Sequence, residues 1–118
     1  IIFFNKDNIK KVKLLRRLNI KLIKTSLNIN HEFDLKNILI KIKLLGLSRV
    51  FLESGIRLTT SFLDKNLIDV FQLFISDKNL GINGNKSFKK CMKFLNKKKP
   101  QKYKVNLLGD NLIYYNLK

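Results

Sequence analysis

Short apolar runs separated by lysine- and asparagine-rich breaks recur along the whole chain, and their spacing switches between a strand-like and a helix-like period. Ile1 to Phe4 reads as a strand. Asn8 then caps a helix whose stripe is Ile9, Val12, Leu15 and Leu18, and Ile20 to Lys24 alternates as a second strand. Thr25 to Phe33 carries no period and is expected to be a loop. Asp34 is a strong N-cap for an amphipathic helix on Leu35, Ile38, Leu39 and Ile42, which Gly46 ends. Arg49 to Leu52 is apolar on both faces, as a central strand covered by helices should be.

A turn at Ser54-Gly55 leads into a helix on Leu58, Phe62 and Leu63 that stops near Lys65-Asn66, and Leu67 to Ser76 is the next strand. Asp77 to Asn85 is turn-rich, with Gly81 and Gly84 as the expected positive-φ residues. Phe88, Met92 and Leu95 fit either a short helix or a lysine-rich loop. Tyr103 to Leu108 and Leu112 to Leu117, separated by Gly109-Asp110-Asn111, predict a closing antiparallel hairpin. The order predicts an α/β domain: a mixed, mostly parallel sheet flanked by helices, with right-handed crossovers and an antiparallel hairpin at its C-terminal edge. At 118 residues the chain is of single-domain size.

The stretch FLESGIRLTTSFL, Phe51 to Leu63, carries the candidate chemistry. A strand ending on Glu53 and turning straight into a helix exposes the first N–H groups of that helix, and these with the helix dipole favour a phosphate or another anion. Gly55 lacks a Cβ, so it allows either a positive φ or the close approach of a ligand. Glu53 is expected at the carboxyl end of a strand, where open α/β sheets bind ligands. The structural alternative is a plain turn glycine followed by a helix, with Glu53 a first-turn carboxylate.

Charge changes this picture less than its size suggests. The formal net charge is +17, from 25 basic and 8 acidic residues, which invites a nucleic-acid reading. Yet 21 of the basic residues are lysine and 4 are arginine, Ile and Asn number 14 each, and alanine is absent. That composition is the mark of an A- and T-rich coding sequence drifting at tolerant surface positions, and arginine, the better bidentate reader, is scarce. Phe62, Phe71 and Phe74 fall in apolar stretches and read as core rather than as a stacking platform. No metal site is expected, because the one cysteine, Cys91, and the one histidine, His31, have no ligand-spaced partners. The lone cysteine fits a reducing cytoplasm. No apolar run nears the ~18 residues of a membrane helix, and the opening Ile1-Ile2-Phe3-Phe4 suggests a piece of something longer.

Taken together, Asp34-Leu35, LGLSRVFLESG (Leu45 to Gly55), SFLDKNLIDVFQLFIS (Ser61 to Ser76), LGING (Leu80 to Gly84) and LLGDNLIYYNL (Leu107 to Leu117) resemble the reductase domain of the bifunctional riboflavin-biosynthesis deaminase/reductase. The resemblance implies a dihydrofolate-reductase-like fold, NADPH as cofactor, and reduction of a ribosylaminopyrimidine phosphate to its ribityl form. It places Glu53 on the substrate and Gly55, Ile56, Arg57, Leu58, Thr59, Thr60 and Ser61 along the cofactor, and it assigns no catalytic side chain. Ser54, Asn66 and Val70 depart from the family pattern, which has glycine or alanine, glycine, and an acidic residue there. The resemblance further implies that residues 1–118 are the C-terminal part of one reductase domain, with upstream strands and the deaminase domain outside them, and it leaves a homodimer open. Two other readings compete: a catalytically silent fragment of that reductase, and a small basic module that binds nucleic acid.

Overall fold

The computed structural model describes residues 1–76, 78, 88–104, 109 and 111–118. They form two units, Ile1–Phe51 and Leu52–Lys118. The expected turn at Gly81 and Gly84, the LGING stretch and the end of the predicted strand at Val105 to Leu108 lie outside the described residues.

In the first unit, β1 (Ile2–Phe4) and β2 (Leu22–Lys24) pair in parallel, with Phe3 opposite Ile23. The connection between them is α1 (Ile9–Arg17), capped by Asn8, whose side-chain oxygen accepts from the Lys11 N–H at 3.0 Å. Only Val12 and Leu15 of its expected stripe are half-buried; Ile9 and Leu18, at the ends, are exposed. The Thr25 to Phe33 segment is a loop, closed by a Leu27–Phe33 bridge around an exposed His31 at φ 57°. Asp34 caps α2 (Leu35–Leu44) by accepting from Lys36 N and Asn37 N. Leu35 is buried while Ile38, Leu39 and Ile42 are half-buried, as the amphipathic stripe requires. Thr25 is enclosed, and the Lys41 ammonium of α2 donates to its hydroxyl at 3.1 Å and to the Lys24 carbonyl at 2.9 Å.

The strand expected at Arg49 to Leu52 does not form: residues 47–55 are irregular, and Phe51 is 82% exposed. An apolar run becomes a strand only where a neighbouring edge completes its backbone hydrogen bonds, and neither sheet offers this segment a ladder.

The second unit holds α3 (Ile56–Asp64), β3 (Val70–Ile75), α4 (Lys89–Leu95), β4 (Gln101–Lys104) and β5 (Asn111–Asn116). The three strands run antiparallel in the order β3-β5-β4, so the closing pair expected at the C-terminus is present, with Tyr103 opposite Leu112 and Lys104 opposite Asn111. Alternation splits β3 between two faces. Phe71 turns inward, stacking on Phe88 at 6.2 Å and meeting Tyr115 edge-on at 6.4 Å. The core of this unit is Phe62, Leu63, Cys91, Leu95 and Tyr115. Phe74, expected in the core, is instead 57% exposed on the other face. Leu58, also expected inward, is exposed, and the buried side of α3 is carried by Phe62 and Leu63. The apolar run LIDVFQLFIS hid this division because both its faces are hydrophobic.

Three helices end alike. In α1, α2 and α3 the residue after the C-cap is left-handed (Asn19 at 55°, Gly46 at 84°, Asn66 at 52°), and the next N–H reaches back five residues, from Ile20 to Leu15, Leu47 to Ile42 and Leu67 to Phe62. These are Schellman closures. Asn66 thus does the work of the glycine usual at its position, since asparagine tolerates the left-handed region better than other residues with a Cβ.

Candidate functional site at the start of the third helix

Glu53, Ser54 and Gly55 form the irregular approach to α3, and Glu53 is exposed there rather than at a strand end. Gly55 is the N-cap, at φ −66° and ψ 163°, an extended conformation open to any residue. The first of the two roles expected of this glycine, a positive φ, is therefore excluded. A Cβ built on it meets nothing within 4 Å, so no part of the fold demands a bare backbone there either. What remains is space in front of the helix.

That helix start is open. The cap supplies no side-chain hydrogen bond, and the first turn contains no acidic residue. The N–H groups of Ile56, Arg57 and Leu58 belong to the set that no intrahelical carbonyl can satisfy, and they carry the positive end of the helix dipole. Arg57, exposed in this turn, adds a full positive charge. An anion placed before Gly55 would meet backbone donors and the positive end of the helix dipole, with the charge of Arg57 in the same turn.

The other expected cofactor-lining residues divide. The Thr59 hydroxyl lies 3.1 Å from that of Ser54 and within reach of the Ser54 and Gly55 carbonyls, so these hydroxyls clasp the helix start. The Ser54–Thr59 pair was not visible in the sequence, because a contact five residues apart across a cap has no periodic signature. Thr60 faces inward, donating to the Ile56 carbonyl at 2.7 Å and lying 3.0 Å from Cys91 Sγ. The Ser61 hydroxyl donates to the Arg57 carbonyl at 3.0 Å. Gly55, Ile56, Arg57 and Leu58 are at the helix mouth, Thr59 reaches back to it, and Thr60 and Ser61 belong to the second turn.

A cleft of about 280 Å³ lies at the other end of α3, between Leu63, Asn66, Ile68, Phe94 and Leu117. Its lysines are occupied, Lys98 donating to the Leu117 carbonyl at 3.2 Å and Lys118 pairing with Asp69. Among the described residues no three metal-ligating side chains cluster, and no helix is long and apolar enough to cross a membrane.

A family model, the RibD C-terminal domain, matches residues 2–112. The chain belongs to the RibD C-terminal domain family. It is also similar to the riboflavin biosynthesis protein RibD of Aquifex aeolicus (strain VF5), at 34% identity over 89 residues. That match covers 70% of this chain and 23% of the relative, so the chain spans about a quarter of that protein's length. The RibD C-terminal fold is the dihydrofolate-reductase-like mixed α/β fold, and the parallel β1–β2 pair, the flanking helices and the antiparallel C-terminal strands are pieces of that kind.

Proposed function

We propose that the chain is part of an NADPH-dependent oxidoreductase that converts 5-amino-6-(5-phosphoribosylamino)uracil to its ribitylamino form in riboflavin biosynthesis. Both units belong to one reductase domain on this reading, since a single family model runs from residue 2 to residue 112, across their boundary. The observation that carries the proposal is the α3 N-terminus, where uncapped backbone donors, Arg57 and open space at Gly55 suit a phosphate-bearing cofactor. NADPH, when bound, supplies the hydride. The residues of this chain bind and orient: the first turn of α3 holds the pyrophosphate, and Glu53, two residues before the cap, accepts from the amino groups of the pyrimidine.

Titrating NADPH into the protein, followed by nicotinamide fluorescence, tests the assignment. Gly55→Asp should weaken cofactor binding by well over tenfold, while Glu53→Gln should leave it unchanged and weaken the pyrimidine instead. Equal NADPH affinity in the parent and the Gly55→Asp variant would remove α3 as the cofactor's anchor.

A further inference from the structure

Sequence drift toward lysine accounts for cations scattered over a tolerant surface, and α1 departs from that pattern. Five of its nine residues are cations, Lys10, Lys11, Lys13, Arg16 and Arg17, all exposed, and they include two of the four arginines in the chain. Folding favours only Arg16 and Arg17, which sit in the last turn. Lys10 and Lys11 stand in the first turn, where the helix dipole opposes positive charge, and Lys13 faces Lys10, Arg16 and Arg17 at spacings of three and four residues, where like charges repel. No acidic residue occurs between Asp7 and Glu32, Asp7 is paired with Lys24, and among the described residues none of the five has an ion pair. The charge is uncompensated.

The same helix shows apolar side chains to solvent. Val12 and Leu15 are half-buried, whereas Leu14 and Leu18 are 56% and 62% exposed. At helical spacing Leu14 neighbours Lys10 and Lys11 one turn before it and Arg17 and Leu18 one turn after it, and the Leu18 N–H still donates to the Leu14 carbonyl at 3.2 Å. A leucine pair is thus bracketed by cations on the outward side of α1, with Lys10 and Arg17 in line about 10 Å apart. These two features together indicate the partner. Nucleic acid would use the cations and leave the leucines in water, but the surface of an anionic bilayer takes both, lysine and arginine at its headgroups and leucine at the acyl boundary. We infer that α1 docks the protein reversibly on a membrane surface that bears anionic phospholipid.

Co-sedimentation of the full chain with vesicles tests this, comparing phosphatidylcholine alone with phosphatidylcholine mixed with phosphatidylserine. Expected is binding to the mixed vesicles only, weakened as salt rises. Leu14→Gln with Leu18→Gln should weaken it about tenfold at every salt concentration, because the lost contact is apolar. Lys10→Gln with Arg17→Gln should weaken it about tenfold at low salt and less as salt rises. The control is Lys65→Gln with Lys97→Gln, both exposed in the second unit, which lowers the net charge equally and should bind like the parent. Glutamine supports a helix about as well as leucine or lysine, and circular dichroism checks that the variants keep the parent's helix content. An equal loss in the control would reduce the effect to net charge and overturn the inference. Leucine variants that bind like the parent, or equal binding to phosphatidylcholine alone, would do the same. Complete displacement from the vesicles by an equal phosphate concentration of duplex oligonucleotide would assign α1 to nucleic acid instead. None of these substitutions touches Gly55 or Glu53, so the reductase reading is tested separately.

Discussion

Gly55 separates two demands that usually coincide. Its φ of −66° and the open space that a methyl at this position would enter mean that folding makes no claim on it, so any intolerance to substitution must come from what binds there. Gly55→Ala should accordingly change stability by less than about 1 kcal/mol in urea denaturation, since alanine is only a poorer cap than glycine. NADPH affinity should nevertheless fall as the new methyl meets the ligand. Loss of stability without loss of affinity would make Gly55 a structural turn residue. At Asn66 the demand is reversed: φ 52° is required by the closure of α3, so Asn66→Ala should cost about 1 kcal/mol, whereas Asn66→Gly should be neutral or stabilising. The caps at Asn8, Asp34 and Gly46 were legible in the sequence because each acts through its own neighbours. The role of Asn66 was not, because asparagine serves many turns and only its φ distinguishes them.

Helices were read more accurately than strands for a physical reason. A helix satisfies its backbone within itself, so α1, α2 and α3 follow from local caps and periods, and even the ambiguous Phe88–Met92–Leu95 pattern resolves into α4. A strand depends on a partner distant in sequence. Arg49 to Leu52 has the composition of a central strand but lacks the ladder, and LIDVFQLFIS has the ladder but conceals which side faces the core. Hydrogen exchange should reflect this difference. The amides of β5, which is paired on both sides, should be among the slowest, and those of Val50 to Leu52 should exchange at near-unprotected rates. Strong protection at Val50 to Leu52 would mean that the segment pairs in solution. Within the second unit the helices are joined to the sheet through a few enclosed side chains. Leu95→Ala, at a position with 0% exposure, should therefore cost ~2–5 kcal/mol in equilibrium unfolding.

At the scale of the whole chain, the two units differ in what holds each of them together. The first contains a two-stranded sheet of three residues per strand, and its enclosed residues are Leu35 and Thr25. A pair of strands that short is marginal by itself and relies on the helices laid over it, here through the Lys41–Thr25 contact and the half-buried stripes of α1 and α2. The second has three strands in one ladder and, among its described residues, five enclosed apolar side chains, three of them, Leu63, Cys91 and Leu95, at 1% exposure or less. Stability tracks buried apolar surface, so the internal support of Leu52–Lys118 exceeds that of Ile1–Phe51. Native-state hydrogen exchange in low urea should show β1, β2 and α2 opening at a lower free energy than β3 and β5. NADPH, if it anchors on α3 alone, should raise protection chiefly in the second unit by mass action. A single opening free energy shared by all five strands would show that the units unfold as one, with the family's domain and not its parts as the cooperative element.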